Sequence, residues 1–332
     1  MKITMGSYEI LLSSNEFSSF NEKIIKIYQG GRLFVVTDKE VFNLYHEIMR
    51  TSLKDFKIDF VIAENKSFTF YEETINKLLD LEIKKTDMIV ALGGGTIGDL
   101  TGFVAATLFR GIDYIQIPTT LLAQIDSSIG GKTAIDTKYG KNLVGSFYNP
   151  KLVLIDSLFL QTLNKREYNN GLAEAIKMAL LFDKELFERI YLAHRLDIMD
   201  IKLIIDYKRK IVVKDPLDQG IRKILNFGHT FGHAIEKTNA YQVYKHGEAI
   251  SYGMLIALEL SARFLKKDNK EIYLKTHDLF LRLGLIKDPI LNYRDYLSSL
   301  KYDKKNTDNG LDFVLLEEIG KPKIMRLKVE EL

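Results

Sequence analysis

His229 and His233 stand four residues apart in Arg222-x-x-x-Asn226-Phe-Gly-His229-Thr-Phe-Gly-His233-Ala-Ile-Glu236. On a helix that spacing puts both imidazoles on one face, as metal-binding pairs require. Spacing alone nominates both as ligands, although an isolated pair of this kind is more often structural. Two further residues strengthen the chemical reading: His246, in Lys245-His246-Gly247-Glu248, and a carboxylate such as Glu174, in Gly171-Leu-Ala-Glu174-Ala-Ile-Lys177. Three nitrogen and oxygen ligands with an open position are what zinc catalysis favours. The chain has no cysteine, which excludes disulfides and leaves only such ligands for a metal.

Ten of the 22 glycines lie between Gly93 and Gly145, so a second kind of chemistry is concentrated there. The run Met88 to Leu92 leads into Gly93-Gly94-Gly95-Thr96-Ile97-Gly98-Asp99, a strand entering a glycine turn and then an apolar helix. Such a turn lets phosphate oxygens approach N–H groups at a helix N-terminus. Gly93-x-Gly95-x-x-Gly98 is weak as a bare pattern, because tight strand-to-helix turns also use glycine for packing alone. The order also differs from a standard dinucleotide fold, whose ribose-binding acid follows the loop; here the best acid at a strand end, Asp38, precedes it. Further on, Thr119 and Thr120 lead to Asp126, Gly130, Gly131 and Lys132, followed by Lys141 and Asn142. Paired glycines before a lysine permit close backbone approach to an anion that the ammonium neutralises. Asp126 occupies the place of the first P-loop glycine, so this is not a P-loop. Two lysines, an acid and an amide suit a polyhydroxylated, phosphorylated ligand.

These groups need a scaffold. Residues 33–36, 59–62, 88–92, 113–117 and 152–155 are short, β-branched apolar runs that read as buried strands. Helix-like stretches at 39–53 and 70–81 alternate with them, which predicts a mostly parallel, helix-covered sheet. After Asp156 the texture turns helical over 165–192, 201–214, 228–238, 247–267 and 271–283, and the next strand-like run is Phe313 to Leu316. The expectation is an α/β domain over 1–160 and an all-α domain over 161–332.

The 332 residues are 46% hydrophobic and 27% charged, enough for a sizeable core. No apolar run approaches the roughly 18 to 20 residues of a membrane helix, and the first ten residues lack a secretory h-region. The cytoplasm is the expected compartment, with no membrane partner. Forty-seven basic residues against 44 acidic ones give +3, too little for a nucleic-acid footprint.

Taken together the motifs resemble the 3-dehydroquinate synthase family from about Arg32 to Gly320. The segments GGGTIGDLTGFVAATLFRG, IPTTLLAQIDSSIGGKTAID, GKNLVGSFYNP, GLAEAIK, RKILNFGHTFGHAIE, KHGEAISYGM and DKK stand in the family's order and spacing. The resemblance implies that the α/β domain over 1–160 is a Rossmann-like NAD-binding domain and the all-α domain over 161–332 a metal- and substrate-binding one, with NAD, one divalent metal (zinc or cobalt) in a cleft between the domains, and a homodimer. Position by position it implies Glu174, His229 and His246 as metal ligands, which moves His233 from the ligand set to the reacting centre. For NAD it implies Asp38, Glu64, Lys66, the loop Gly93, Gly94, Gly95, Thr96, Ile97, Gly98 and Asp99, then Thr119, Thr120, Lys132, Lys141, and the segment from Phe159 to Thr162. For substrate it implies Asp126, Lys132, Asn142, Lys177, Lys208, Arg222, Asn226, Lys304 and Lys305, with Arg110 reaching the neighbouring subunit's active site. His233, Asn226, Asp126 and Lys132 carry the catalytic expectation. This chain departs from the family at Ala63-Glu64-Asn65-Lys66, one residue short, and at Glu40, where an Asn is usual.

The implied reaction converts 3-deoxy-D-arabino-heptulosonate 7-phosphate to 3-dehydroquinate and phosphate, within the shikimate pathway. Lys208 and Arg222 suit the substrate carboxylate, while Arg110, Lys132 and Lys177 suit its phosphate. The rival readings are a related sugar phosphate cyclase, a metal-dependent polyol dehydrogenase on the same scaffold, or an inactive binding protein that keeps the fold. A substrate without a carboxylate would leave the cations at 208 and 222 unmatched.

Overall fold

In the computed structural model the described residues are 1–239, 243–287, 290–301 and 310–332. Lys304 and Lys305 lie outside them. The chain forms two compact units, Met1–Leu163 and Asn164–Leu332.

The first unit is built on the apolar runs. Strands β1 (Lys2–Thr4), β2 (Glu9–Ser13), β3 (Arg32–Thr37), β4 (Lys57–Ile62), β5 (Met88–Gly93), β6 (Tyr114–Pro118) and β9 (Leu152–Asp156) make one sheet in the order β1-β2-β9-β6-β5-β3-β4. All neighbours are parallel except β1 and β2. Alternation along β3 separates two cores. Leu33 and Val35 pack with Tyr45 and Met49 of α2 (Lys39–Ser52), whereas Phe34 and Val36 pack with Leu78 of α3 (Phe68–Asp80) and Leu100 of α4 (Gly95–Thr107). A one-residue slip of β3 would exchange the two faces and lose both cores. Helix α1 (Phe20–Ile27) adds Phe20 and Ile24 to the first core.

The parallel sheet thus fulfils the sequence expectation, with two additions. The N-terminal hairpin was passed over although β2 carries the buried apolar run Ile10, Leu11 and Leu12, and a second hairpin, β7 (Lys132–Thr137) with β8 (Gly140–Phe147), gave little apolar signal because β8 is largely exposed. The expected loop at 93–99 is also mostly regular: Gly93 ends β5, Gly94 caps α4, and the rest is the helix's first turn.

The second unit contains α5 (Lys165–Phe182), α6 (Lys184–Ala193), α7 (Ile198–Lys214), α8 (His229–Thr238), α9 (His246–Leu265), α10 (Lys270–Leu283) and α11 (Leu297–Lys301). The predicted helix 165–192 breaks at Asp183, whose extended backbone ends α5 and whose carboxylate caps α6 through Leu186 N–H. The unit is helical but not strictly all-α, since β10 (Leu311–Leu316) and β11 (Pro322–Leu327) pair as an antiparallel hairpin. Among the described residues no helix is long and apolar enough to cross a membrane.

Candidate active site

In the first unit, connections run from β3 out to β4 and then back past β3 to β5, so the winding reverses between β3 and β5. Ligands of open α/β sheets bind outside the carboxyl ends at such a reversal. Here Thr37 lies opposite Leu92, and the next residues along are Asp38 and Gly93. The acid that precedes the glycine turn in sequence is therefore its neighbour across the sheet, which resolves the inverted order. One Asp38 oxygen accepts Val41 N–H at 2.9 Å, capping α2.

Helix α4 begins without a side-chain cap and without an acid in its first turn, so its N–H groups are left to an anion. A Cβ on Gly95 would come within 2.9 Å of Ser127 Oγ, and one on Gly94 within 3.1 Å of Thr120 Cγ2. Thr119, joined by its N–H to Gly93 O at 3.0 Å, has a buried hydroxyl with no protein partner. A close-packed turn, an uncapped helix and an orphan hydroxyl fit a dinucleotide pyrophosphate. Ile97 and Phe159 belong to the two apolar cores, so they offer only main-chain groups; Thr162 is exposed, and its hydroxyl meets Tyr45 Oη.

Lys66 is buried. Its ammonium lies 2.6 Å from Asp99 and also donates to Asn142 Oδ1, while Asp136 receives Asn142 N–H at 3.1 Å. Burial pushes the Asp99 carboxyl up, against the opposing pull of Lys66. This cluster ties α4 to the β7–β8 hairpin, whose exposed face carries Lys132, Lys141 and Asn142. Gly130 and Gly131, with φ of 102° and 65°, turn the chain into β7 just after Asp126. Glu64 is exposed. Arg110 is also exposed, and it follows Phe109 in a left-handed pair, φ 51° and 60°, unusual for two residues that are not glycine.

The second unit draws its groups together from four helices and a 3-10 turn. Glu174 Oε1 lies 3.3 Å from His229 Nε2 and 3.2 Å from His246 Nε2. Its other oxygen meets Lys177 Nζ one helical turn on, and Glu174 and Lys177 are 1% and 2% exposed. Helices α8 and α9 reach this spacing because their backbones nearly touch: a Cβ on Gly253 would lie 1.9 Å from Gly228 O, and Gly228 itself needs φ of 78°. Each residue of Lys245-His246-Gly247-Glu248 has a task. Lys245 Nζ pairs with Glu167, Gly247 donates its N–H to Asn170 Oδ1 at 2.6 Å, and Glu248 takes a two-point contact from Arg166 at 2.7 and 2.9 Å. All three anchors lie on α5, the helix that carries Glu174. Sequence reading passed over Arg166, Glu167 and Asn170, which carry no motif of their own.

Among the described residues two groups each bring their ligand atoms within 4.8 Å of one another: Glu174, His229 and His246, and His233, Glu236 and His246. Burial favours a raised pKa for Glu174, but Lys177 and His229 outweigh it and hold the carboxyl well below its usual range. Burial, then Lys177, lowers His229, whereas for His246 the bonds to Glu174 and Glu236 overcome burial and raise it to about 9. The first of these groups brings the buried Glu174 carboxylate against the imidazoles of His229 and His246. Its one oxygen and two nitrogen donors fit zinc or cobalt.

Lys208 on α7 and Arg222 on the turn Ile221–Asn226 are 6% and 4% exposed. Asp215 builds the turn by accepting N–H groups of Gln219, Gly220 and Arg222, and Arg222 Nη1 donates to Pro216 O at 2.8 Å. Asn226 ends that turn, one residue before Phe227, whose carbonyl lies 3.2 Å from His229 Nδ1. His233 is exposed, its ring centroid 5.4 Å from that of His229.

The family model for the 3-dehydroquinate synthase N-terminal domain matches residues 61–170, and that for the C-terminal domain matches 171–306. The 3-dehydroquinate synthase of Thermoanaerobacter pseudethanolicus is 40% identical over 342 aligned positions, covering 98% of this chain and 96% of that protein. Those of Clostridium acetobutylicum and Helicobacter pylori are 39% and 38% identical, covering 100% and 95% of this chain and 96% and 94% of their own lengths. In fold the chain is similar to a 2-epi-5-epi-valiolone synthase from Streptomyces hygroscopicus with NAD+ and Zn2+ bound, at a TM-score of 0.85 and 24% identity over 99% of this chain and 95% of that one. It is likewise similar to 2-deoxy-scyllo-inosose synthase complexed with carbaglucose-6-phosphate, NAD+ and Co2+, at 0.82 and 23% over 99% and 96%. The motifs first read from the residues, the two matching models and relatives near 40% identity along the whole length agree: this chain belongs to the 3-dehydroquinate synthase family.

Proposed function

We infer that this chain converts 3-deoxy-D-arabino-heptulosonate 7-phosphate to 3-dehydroquinate and phosphate, with the first unit holding NAD and the second holding metal and substrate. The observation that carries the reading is the buried meeting of Glu174, His229 and His246, with the buried cations Lys177, Lys208 and Arg222 in the same unit. When bound, NAD supplies reversible hydride acceptance at substrate C5, and the divalent metal supplies Lewis acidity at the C5 oxygen.

The chain's own groups do the rest. Glu174, His229 and His246 would hold the metal. The N–H groups at the start of α4, with Thr119 and Thr120, would take the pyrophosphate, and Asp38 a ribose. Lys66 has a prior task beside Asp99 and Asn142, so its part is to hold the hairpin that presents Lys132, Lys141 and Asn142. Lys208 and Arg222 bind the substrate carboxylate, the guanidinium offering two parallel donors. Lys132 and Lys177 neutralise the phosphate that leaves, and exposed Arg110 is placed to serve a neighbouring copy in a homodimer. His233 and Asn226 hold and move the proton at the C5 hydroxyl, with Asp126 orienting the ring hydroxyls. The expected compartment is the cytoplasm.

Purified protein with NAD and zinc should release one phosphate per heptulosonate 7-phosphate at constant NAD+. NADH accumulating in step with turnover would identify a polyol dehydrogenase instead. Phosphate release only from a phosphorylated sugar lacking the carboxylate would identify a related cyclase.

A further inference from the structure

Among the described residues the proposed function leaves one buried acid of the second unit without a role. Glu236, on α8, is 5% exposed, and its Oε2 lies 3.6 Å from His246 Nδ1, while His246 Nε2 faces Glu174 Oε1 at 3.2 Å. The imidazole is thus spanned by two carboxylates, one at each nitrogen. His229 has the matching arrangement with a weaker partner: its Nδ1 faces Phe227 O at 3.2 Å and its Nε2 faces the same Glu174 oxygen. In both rings Nδ1 faces an acceptor outside the Glu174–His229–His246 group, at 3.6 Å for His246 and 3.2 Å for His229, and Nε2 faces Glu174 Oε1. A metal-binding histidine needs its lone pair on the inward nitrogen, and an acceptor on the far nitrogen fixes that tautomer.

We propose that Glu236 is the positioning residue of His246: it holds the proton on Nδ1, keeps the ring's Nε2 lone pair on the point shared with Glu174 and His229, and by its charge makes His246 the stronger of the two nitrogen donors. This rests on the metal centre of the proposed function. Glu236 shares α8 with His229, and α8 is pressed against α9 at Gly228 and Gly253, so the contact also locks the two ligand-bearing helices in register. Glu236 could itself be a ligand with His233 and His246, and the test separates the two roles.

The experiment measures zinc affinity by chelator competition, and the visible spectrum of the cobalt-substituted protein, for the wild type, E236Q, H246A and the double variant. In E236Q zinc affinity should fall about 10- to 100-fold and the cobalt bands should shift. The same change in the H246A background should add nothing, because a positioning residue has no effect without the ring it positions. Unaltered zinc affinity in E236Q, or an equal loss in both backgrounds, overturns the proposal. Complete loss of metal from both E236Q and H233A, with E174Q still loaded, makes Glu236 a ligand and overturns it too. Should E236Q fail to fold, nitrogen-15 NMR of the zinc-loaded wild type decides: His246 protonated at Nδ1 supports the proposal, and coordination through Nδ1 overturns it. A wild type that takes up no zinc, or keeps it in E174Q and H229A, would instead refute the underlying metal-centre reading.

Discussion

The two units make binding sites from opposite materials. In the first, the candidate groups are mainly backbone: the end of β5, the uncapped start of α4 and the paired positive-φ glycines before β7. In the second they are acidic and basic side chains taken almost wholly out of water, Glu174, Lys177, Lys208, Arg222 and Glu236. A backbone site tolerates most changes nearby and fails where a Cβ intrudes. A buried charge site fails when any one member goes, because the group left behind keeps its desolvation penalty.

The largest test of that contrast is His246→Ala. It removes a proposed metal ligand and leaves Glu174 facing Lys177 and His229. If Lewis acidity supplies about 4 kcal/mol, turnover should drop by about a thousandfold, with zinc affinity lowered. NAD affinity, followed by fluorescence, should stay near the wild-type value, and a parallel collapse of NAD binding would break the division between the units.

Arg222→Ala comes next. A charge-assisted bond to a carboxylate contributes about 1.5 to 3 kcal/mol, so the apparent KM for the heptulosonate should rise about 10- to 150-fold. Isothermal titration should find NAD affinity and zinc content unchanged. Equal loss of NAD affinity would show that this arginine does not belong to the substrate end.

Gly94→Ala probes the other material. The added methyl meets Thr120 Cγ2 at 3.1 Å and occupies the approach to the first N–H groups of α4. NAD affinity should fall about tenfold, or about 1.4 kcal/mol, with zinc content intact. Zinc loss in this variant would mean that the units are not chemically independent.

Legibility in the sequence followed the same division. The five buried strands showed as β-branched runs, and the glycine turn showed by its spacing. The exposed β8 strand has no such signature, and its Lys141 and Asn142 read only as residues after a glycine. The histidine pair was visible, but i, i+4 spacing puts His229 and His233 on one face and says nothing about which meets Glu174. That depends on the tertiary packing of α8, and the place of His246 depends on where α9 starts against α5, set by Gly247, Asn170 and the Arg166–Glu248 contact across about 80 residues of sequence. Short-range periodicity cannot encode such contacts, so only the resemblance to a family moved the proposed assignment away from His233.

Arg166→Ala gives the smallest expected effect, and it tests how that start of α9 is held. Arg166 is 59% exposed while Glu248 is 11% exposed, so the ion pair is half solvated and screened. Glu248 would keep the N–H of Lys245 at 2.9 Å, and Gly247 would keep Asn170. With two anchors left, thermal unfolding should show a loss of no more than about 1 kcal/mol. Zinc affinity should weaken by at most about fivefold, since His246 still sits between Glu174 and Glu236. A zinc loss as deep as that of His246→Ala would mean that one partly exposed ion pair, and not the buried charges, sets the ligand geometry. The second unit would then depend on its rim as much as the first depends on its glycines.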